Sequence, residues 1–459
     1  MTRSREAWVS FLATRLTGVV ADAAIVGAAY LASFILRFDF AEPSWGWRKV
    51  AISYLTVCAV HLVSLFACGC YRLAWRRINV SQIPRYVGAT ALAAVLLTAM
   101  RFLMPELGLA HIRPPYSITV ICFLFATAGI VGVRYLWRFY WLSRQKEAEL
   151  LERSEKTFDN SVAARFFAGR VVMVTGAGGS IGSEIVRQVA AAGASKILMV
   201  ERGENVLYEI NREMLKAKCA STLKPLMIDC GDVERMKGVF GAERPSVVLH
   251  AAAYKHVPMV ELNPDEGWRN NTEATRRLAE LAAANGVERF VMISTDKAVN
   301  PVSVMGKTKL AAEQAIMAMN GGSATSFCAV RFGNVFGSSG SVVPLFREQI
   351  ASGGPVTVTH PDMKRYFMTI QEAVSLVLQA ASRQERAIYT LDMGEPVRIL
   401  DLAENMISQA GYRPYVDIPI VFTGMRPGEK LFEEIDVSER SAFKTDMAKI
   451  YVTKSSCPM

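Results

Sequence analysis

Four apolar stretches crowd the first third of the chain, at about Leu16–Leu36, Val50–Gly69, Tyr86–Met104 and Ser117–Trp137. Each approaches the ~20 residues that a helix needs to cross a bilayer. A core helix of a soluble domain rarely stays apolar around its whole circumference for that length. The first stretch is too long and too poorly flanked for a cleaved signal peptide, and three more follow it. Residues 1–137 therefore read as a four-span anchor in a lipid bilayer.

Loop charges orient it. Arg3, Arg5 and Arg15 precede the first span, and Arg72, Arg76, Arg77 and Arg85 lie between the second and third. Arg134, Arg138, Arg144 and Lys146 attend the end of the fourth, while Asp39 and Glu42 sit in a loop poorer in positive charge. Basic loops stay on the cytoplasmic side, so both the N-terminus and the large C-terminal part are expected in the cytoplasm. This placement also explains the net charge of +10 without nucleic acid, which is not expected as a partner. Asp22, His61 and Arg101 fall in or near spans. Pairing inside the bundle or facing headgroups is the role expected of them, and a transporter would need more spans and more internal polar groups.

None of the eight cysteines forms a CxxC pair. No disulfide framework or zinc site is indicated, which fits a reducing compartment. Residues 138–168 read as a helical linker at the membrane surface, with "RQKEAELLERSEK" rich in helix formers.

At 169 the pattern changes. "RVVMVTGAGGSIGSE" places an apolar strand before Gly176, Gly178, Gly179, Ser180, Ile181 and Gly182, and a helical pattern after them. The glycines let the backbone approach a pyrophosphate, and the helix N-terminus offers N–H groups to it. The next strand, "KILMVE", ends in Glu201, which can accept both hydroxyls of an adenosine ribose. Arg202 beside it could instead receive a 2′-phosphate, so NAD is expected ahead of NADP. A third strand ends near Asp232, a plausible adenine contact. A fourth, "SVVLHAAAY", brings the small residues Ala251, Ala252 and Ala253 towards the cofactor, and "RFVMIST" gives a fifth. The fold class is α/β: a Rossmann-type doubly wound parallel sheet over 169–459, with a smaller C-terminal substrate lobe, preceded by the four-helix transmembrane region.

Several phrases carry a family resemblance: "TGAGGSIGSE", "HAAAYKHVPMVE", "STDKAVNPVSVMGKTK", "RFGNVFGSSGSVVPLF" and "RPGEKLFEE". The chain resembles the membrane-bound nucleotide-sugar 4,6-dehydratases of bacterial polysaccharide synthesis, which are extended short-chain dehydrogenases/reductases. Long members of that family insert an additional domain where only a linker of about 30 residues stands here. The resemblance implies a UDP-sugar substrate, with UDP-N-acetylglucosamine foremost, a homo-oligomer, and a place in the bacterial inner membrane.

The resemblance also implies a route. Oxidation at carbon 4 acidifies the hydrogen on carbon 5, a base removes it, an acid protonates the departing carbon-6 hydroxyl, and the stored hydride returns to carbon 6. Asp296 is the acid expected for the hydroxyl, and Lys297 the base at carbon 5, with its pKa lowered beside a positive nicotinamide. Thr295 holds a water or relays a proton, and Lys309 grips the nicotinamide ribose. Met305 stands where reductases and epimerases of nucleotide sugars usually carry a tyrosine, and it is expected to pack. Lys255 is expected to touch substrate hydroxyls, and His256 to be structural. Asn271 matches a helix asparagine that orders the active site in relatives. Asn334, Arg365 and Arg426 are the expected diphosphate and uridine contacts, and Glu429 closes the substrate lobe. Two rival readings are a nucleotide-sugar 4-epimerase and a catalytically silent, NAD-sensing membrane scaffold.

Overall fold

The computed structural model describes residues 2–39, 46–71, 83–103, 115–142, 161–383, 385–434, 442–447 and 449–453. The loop charges Glu42, Arg72, Arg76, Arg77, Arg144 and Lys146, and the linker at 143–160, lie outside the described residues. So do the side chains of Arg3, Arg5, Arg15 and Arg138. The chain divides into two compact units. One is Met1–Lys146 with Ile407–Arg413, and the other is Glu147–Met406 with Pro414–Met459.

The first unit holds α1 (Thr2–Phe38), α2 (Trp47–Ala67), α3 (Ile83–Leu103) and α4 (Tyr116–Leu142). Each contains a segment of 21 or 22 residues long and apolar enough to cross a membrane, within three residues of the stretch read from the sequence. The inward faces mix small, aliphatic and aromatic residues: Val26, Tyr30, Ala89, Ala93, Leu97, Cys122, Ala126 and Ile130 are buried, while Leu36, Leu55, Phe66 and Leu136 point outward. Outward leucines suit a surface whose solvent is hydrocarbon. Asp22 of α1 is wholly buried and forms a two-pronged salt bridge with Arg134 of α4. The guanidinium also lies 4.7 Å over the Tyr86 ring of α3. The pairing expected of Asp22 thus has Arg134 as its partner. That residue was expected to mark the cytoplasmic end of α4 as a loop charge, but it sits inside the bundle.

The second unit is built on a nine-stranded sheet. Its strands are β1 (Val171–Thr175), β2 (Lys196–Glu201), β3 (Thr222–Met227), β4 (Val247–His250), β5 (Arg289–Ile293), β6 (Ser326–Arg331), β7 (Ile388–Leu391), β8 (Ala442–Lys444) and β9 (Ile450–Thr453). Their order is β8-β9-β7-β6-β5-β4-β1-β2-β3. The run from β3 to β7 is parallel, and β9 and β8 close one edge antiparallel. β1, β4 and β6 read as near-continuous apolar runs because helices cover both sheet faces. One core packs Val172, Val174 and Ile185 with Leu376 and Tyr389; the other packs Met173, Leu198 and Phe240 with Phe290 and Phe327.

Strand order reverses between β1 and β4, and crevices at such switch points receive ligands at the strands' carboxyl ends. The glycine loop leaves β1 there and enters α5 (Ser180–Ala191). Gly176 has φ +69°, and a Cβ on it would lie 2.7 Å from Ala252 N. A Cβ on Gly182 would lie 1.9 Å from Gly176 O. A larger residue at Gly176 would collide with the chain leaving β4, and one at Gly182 would push the helix off the glycine loop.

Candidate active site

A cleft of about 620 Å³ opens at the switch point. Gly176, Gly179, Ser180, Ile181, Gly182, Ala251 and Ala253 line one end, and Thr295, Lys297, Met305 and Lys309 line the middle. Lys255, Asn334, Arg365, Arg426 and Glu429 line it as well. A smaller hollow of about 160 Å³ adjoins the glycine loop, bounded by Glu201, Arg202, Asp229, Cys230, Ala252 and Asn270. Most residues expected at the site therefore meet in one connected place.

Glu201 ends β2 with each carboxylate oxygen accepting a backbone N–H, from Gly178 at 3.2 Å and Gly203 at 3.0 Å. Arg202 lies 4.8 Å over the Tyr254 ring and 3.8 Å from an Asp229 oxygen. Asp232 is displaced from its expected role. β3 ends at Met227, so Asp229 reaches the hollow instead, and Asp232 caps α6 (Val233–Glu243) by accepting from Arg235 N at 3.2 Å.

After β5 the chain turns through a 3₁₀ segment at Asp296–Ala298 and enters α7 (Val304–Ala318), capped by the Ser303 hydroxyl. Asp296 Oδ1 accepts both from Thr295 Oγ1 at 2.8 Å and from Lys297 Nζ at 3.0 Å. Lys297 Nζ also donates to Asn334 Oδ1 at 3.2 Å. Thr295 and Lys297 face the cleft, whereas Asp296 is 3 % exposed and lies behind them, outside the lining. Its Oδ2 is buried with no hydrogen-bond partner among the described residues.

The chain's own groups do not lower the Lys297 pKa. Burial acts to lower it, but the Asp296 and Glu433 carboxylates outweigh burial and hold the ammonium above the usual lysine value. Glu433, 3.6 Å from Lys297 Nζ, is the residue that sequence reasoning missed. Its only signal was membership of the "RPGEKLFEE" phrase. Lys309 behaves differently: burial brings it down to about 8, against a smaller opposing effect of Glu313, and its Nζ donates to Ile293 O at 2.7 Å.

Other expected contacts are repositioned. Arg365 is 7 % exposed, and its fork donates to the carbonyls of Lys364, Lys430 and Leu431. It anchors the C-terminal segment, where an open diphosphate ligand was expected. Asn334 lines the cleft, its Oδ1 accepting from Lys297 Nζ. Arg426 is exposed at the cleft, with Glu429 accepting from its backbone N–H at 3.2 Å. Lys255 donates to Ser339 O at 2.7 Å, and burial lowers its pKa. His256 packs against Gly340, where an added Cβ would lie 2.5 Å from the ring. Met305 packs with Val257 and Val260. Asn271 is fully buried in a π-helical turn, Trp268–Glu273. It accepts from Tyr254 N at 2.8 Å and donates to Tyr254 O at 3.0 Å. It thus orders the backbone beside the cleft without lining it, and π-turns recur at functional sites.

A switch-point glycine loop, with a Thr-Asp-Lys turn and a helix lysine converging on one cleft, defines an extended short-chain dehydrogenase/reductase. Within that class, the chain belongs to the polysaccharide biosynthesis protein family, whose profile matches residues 172–455. It is 50 % identical over 297 residues to the capsular polysaccharide biosynthesis protein CapD of Staphylococcus aureus, covering 64 % of this chain and 49 % of that protein. The chain thus spans about half the length of such a relative. It is 30 % identical to a UDP-N-acetylglucosamine 4,6-dehydratase (inverting) of Campylobacter jejuni, covering 63 % of this chain and 84 % of that one. A UDP-glucose 4-epimerase of Rickettsia canadensis is 32 % identical, with coverage of 62 % and 83 %. Among solved structures, Pen from Bacillus thuringiensis superposes with a TM-score of 0.58 at 31 % identity, covering 63 % of this chain and 87 % of that one.

Proposed function

We propose that the chain is a nucleotide-sugar 4,6-dehydratase acting on UDP-N-acetylglucosamine and forming UDP-2-acetamido-2,6-dideoxy-4-hexulose. One observation carries this reading above the epimerase: the cleft presents a lysine hydrogen-bonded to an aspartate, with buried Met305 where an epimerase needs a proton-transferring tyrosine. An epimerase has no use for a second acid/base pair. A silent scaffold has no use for the buried, partly unsatisfied Asp296.

The cofactor expected is NAD, and the hollow fits it. The glycine loop leaves no room for side chains where a pyrophosphate would approach, and Glu201, at the edge of the hollow, would face the ribose. Glu201 and Asp229 together would repel a 2′-phosphate, and Arg202 is already turned to Asp229 and Tyr254. When bound, the nicotinamide supplies reversible hydride acceptance between carbons 4 and 6 of the sugar. Lys309, brought down to about 8 by burial and so still mostly protonated at neutral pH, would hold the ribose beside Thr295.

The chain's own task is to eliminate water across carbons 5 and 6 of a 4-keto sugar. The Asp296–Lys297 pair holds one transferable proton along a 3.0 Å hydrogen bond. With the proton on Asp296, Lys297 is a neutral amine that can take the carbon-5 hydrogen. Asp296 is then the acid, and the Thr295 hydroxyl, bonded to the same Oδ1 and facing the cleft, can pass its proton to the departing carbon-6 oxygen. One proton enters at Lys297 and one leaves through Thr295, so the pair returns to its ionic form. Each proton-transfer group of this kind contributes about 10²–10⁴ in rate. The anchor would place this chemistry at the cytoplasmic face of the bacterial inner membrane.

The test uses detergent-purified full-length protein, UDP-N-acetylglucosamine and heavy water. The product should be lighter by one water, carry deuterium at carbon 5, and hold the former carbon-4 hydrogen at carbon 6. A product of unchanged mass, or one without solvent label at carbon 5, would overturn this mechanism.

A further inference from the structure

The proton pair has a second carboxylate neighbour. Glu433 belongs to the C-terminal segment that follows Arg426 and Glu429, and its side chain is 4 % exposed. Its Oε1 lies 3.6 Å from Lys297 Nζ and 3.7 Å from Arg365 Nε. Its Oε2 is buried with no hydrogen-bond partner among the described residues. Leaving a buried carboxylate oxygen unfilled costs stability, so packing alone would not favour a glutamate here. The next residue shows the alternative: Glu434 is exposed, accepting from Asn300 Nδ2 at 2.7 Å and Lys430 Nζ at 3.4 Å. Glu433 is instead drawn in, because Arg365 clamps the carbonyls of Lys430 and Leu431. The clamp brings a distant stretch of chain onto Lys297.

We propose that Glu433 is a positioning residue for proton transfer: it holds the Lys297 ammonium between two carboxylates and sets how readily the shared proton moves. This role rests on the dehydratase reading. Asp296 and Glu433 balance Lys297 and Arg365 in charge, so the resting cluster is neutral. Removing the Glu433 charge leaves every proton on the Asp296–Lys297 pair less tightly held. The pair titrates as a unit, so both limbs of a bell-shaped rate profile should move together, towards lower pH.

Glu433→Gln keeps the shape and removes the charge. Its kcat/KM profile should shift to lower pH by about one unit, the usual effect of a single close charge. Glu433→Asp moves the carboxylate back by one methylene, so it should shift the profile the same way by less, and it decides the matter if the glutamine variant does not fold. A merely structural anchor would change rate or KM and leave both profiles in place, which would overturn the proposal. Titration of Lys297 by NMR of lysine-labelled full-length protein, assigned with Lys297→Arg, reads the same effect without substrate. If no nucleotide sugar loses water but the Lys297 titration still drops in Glu433→Gln, the charge coupling between Glu433 and Lys297 stands, and the dehydratase reading falls with the catalytic role built on it. If water is lost and neither profile nor titration moves, the positioning role falls alone.

Discussion

Two buried aspartates in this chain each face a cation, and they are bound differently. In the membrane unit, Asp22 gives both oxygens to the Arg134 guanidinium, and the pair is wholly buried. In the catalytic unit, Asp296 uses only Oδ1, shared by Thr295 and Lys297, and its Oδ2 is left unfilled. The Lys297 side chain is 20 % exposed and lines the cleft. Arginine does not give up its proton in proteins, whereas lysine can be neutralised by its surroundings. In the first pair both carboxylate oxygens are engaged, which suits locking α1 against α4. The second is under-saturated and open on one side, which moving a proton requires.

The comparison is broken most severely by making the second pair resemble the first. Lys297→Arg should keep the charge and the ion pair with Asp296 yet lower turnover by about 10²-fold or more, because it removes the base. The measurement is loss of water from the nucleotide sugar by mass spectrometry. Turnover near wild type in this variant would show that Lys297 acts only through its charge.

A smaller effect is expected from breaking the first pair. Asp22→Ala strips a buried guanidinium of its carboxylate, which costs roughly 3–5 kcal/mol when one partner of a buried pair is lost. Thermal unfolding of the full chain in detergent should show it. Replacing both residues, as Asp22→Leu with Arg134→Met, should recover much of the loss, since an apolar pair needs no charge compensation. A single variant as stable as wild type would mean that the pair is not the lock described here.

The smallest effect is reserved for Met305. Met305→Leu conserves volume, which cores tolerate at a cost under about 1.5 kcal/mol. Turnover should change by less than about tenfold, because neither side chain transfers a proton. A loss comparable to that of Lys297→Arg would give Met305 a role beyond packing with Val257 and Val260.

Much of the architecture was legible along the chain. Period and length alone marked the four apolar helices, because a segment surrounded by hydrocarbon must be apolar on all sides. The glycine loop was readable because its function is local: Gly176 and Gly182 answer to backbone atoms only a few positions away or on the adjoining strand. Thr295, Asp296 and Lys297 were singled out by the family resemblance, and as three consecutive residues at a strand end they share one turn. Less was legible where a side chain's task depends on a remote segment. Asp229 and Asp232 are both acids near the end of β3, and only the point where the strand stops decides which one reaches the hollow.

By itself the sequence determined the membrane-spanning pattern, the order of strands and helices, and the Thr-Asp-Lys turn beside a cofactor loop, all written in contiguous residues. The tertiary structure decided the charge state of the proton pair. Lys297 was expected to have its ammonium made more acidic by its position, and Arg365 to bind diphosphate. Folding instead turns the Arg365 fork onto the carbonyls of Lys430 and Leu431 and carries Glu433 to 3.6 Å from Lys297. Coulomb energy depends on distance through space and on burial, and neither is encoded in the spacing of residues along the chain.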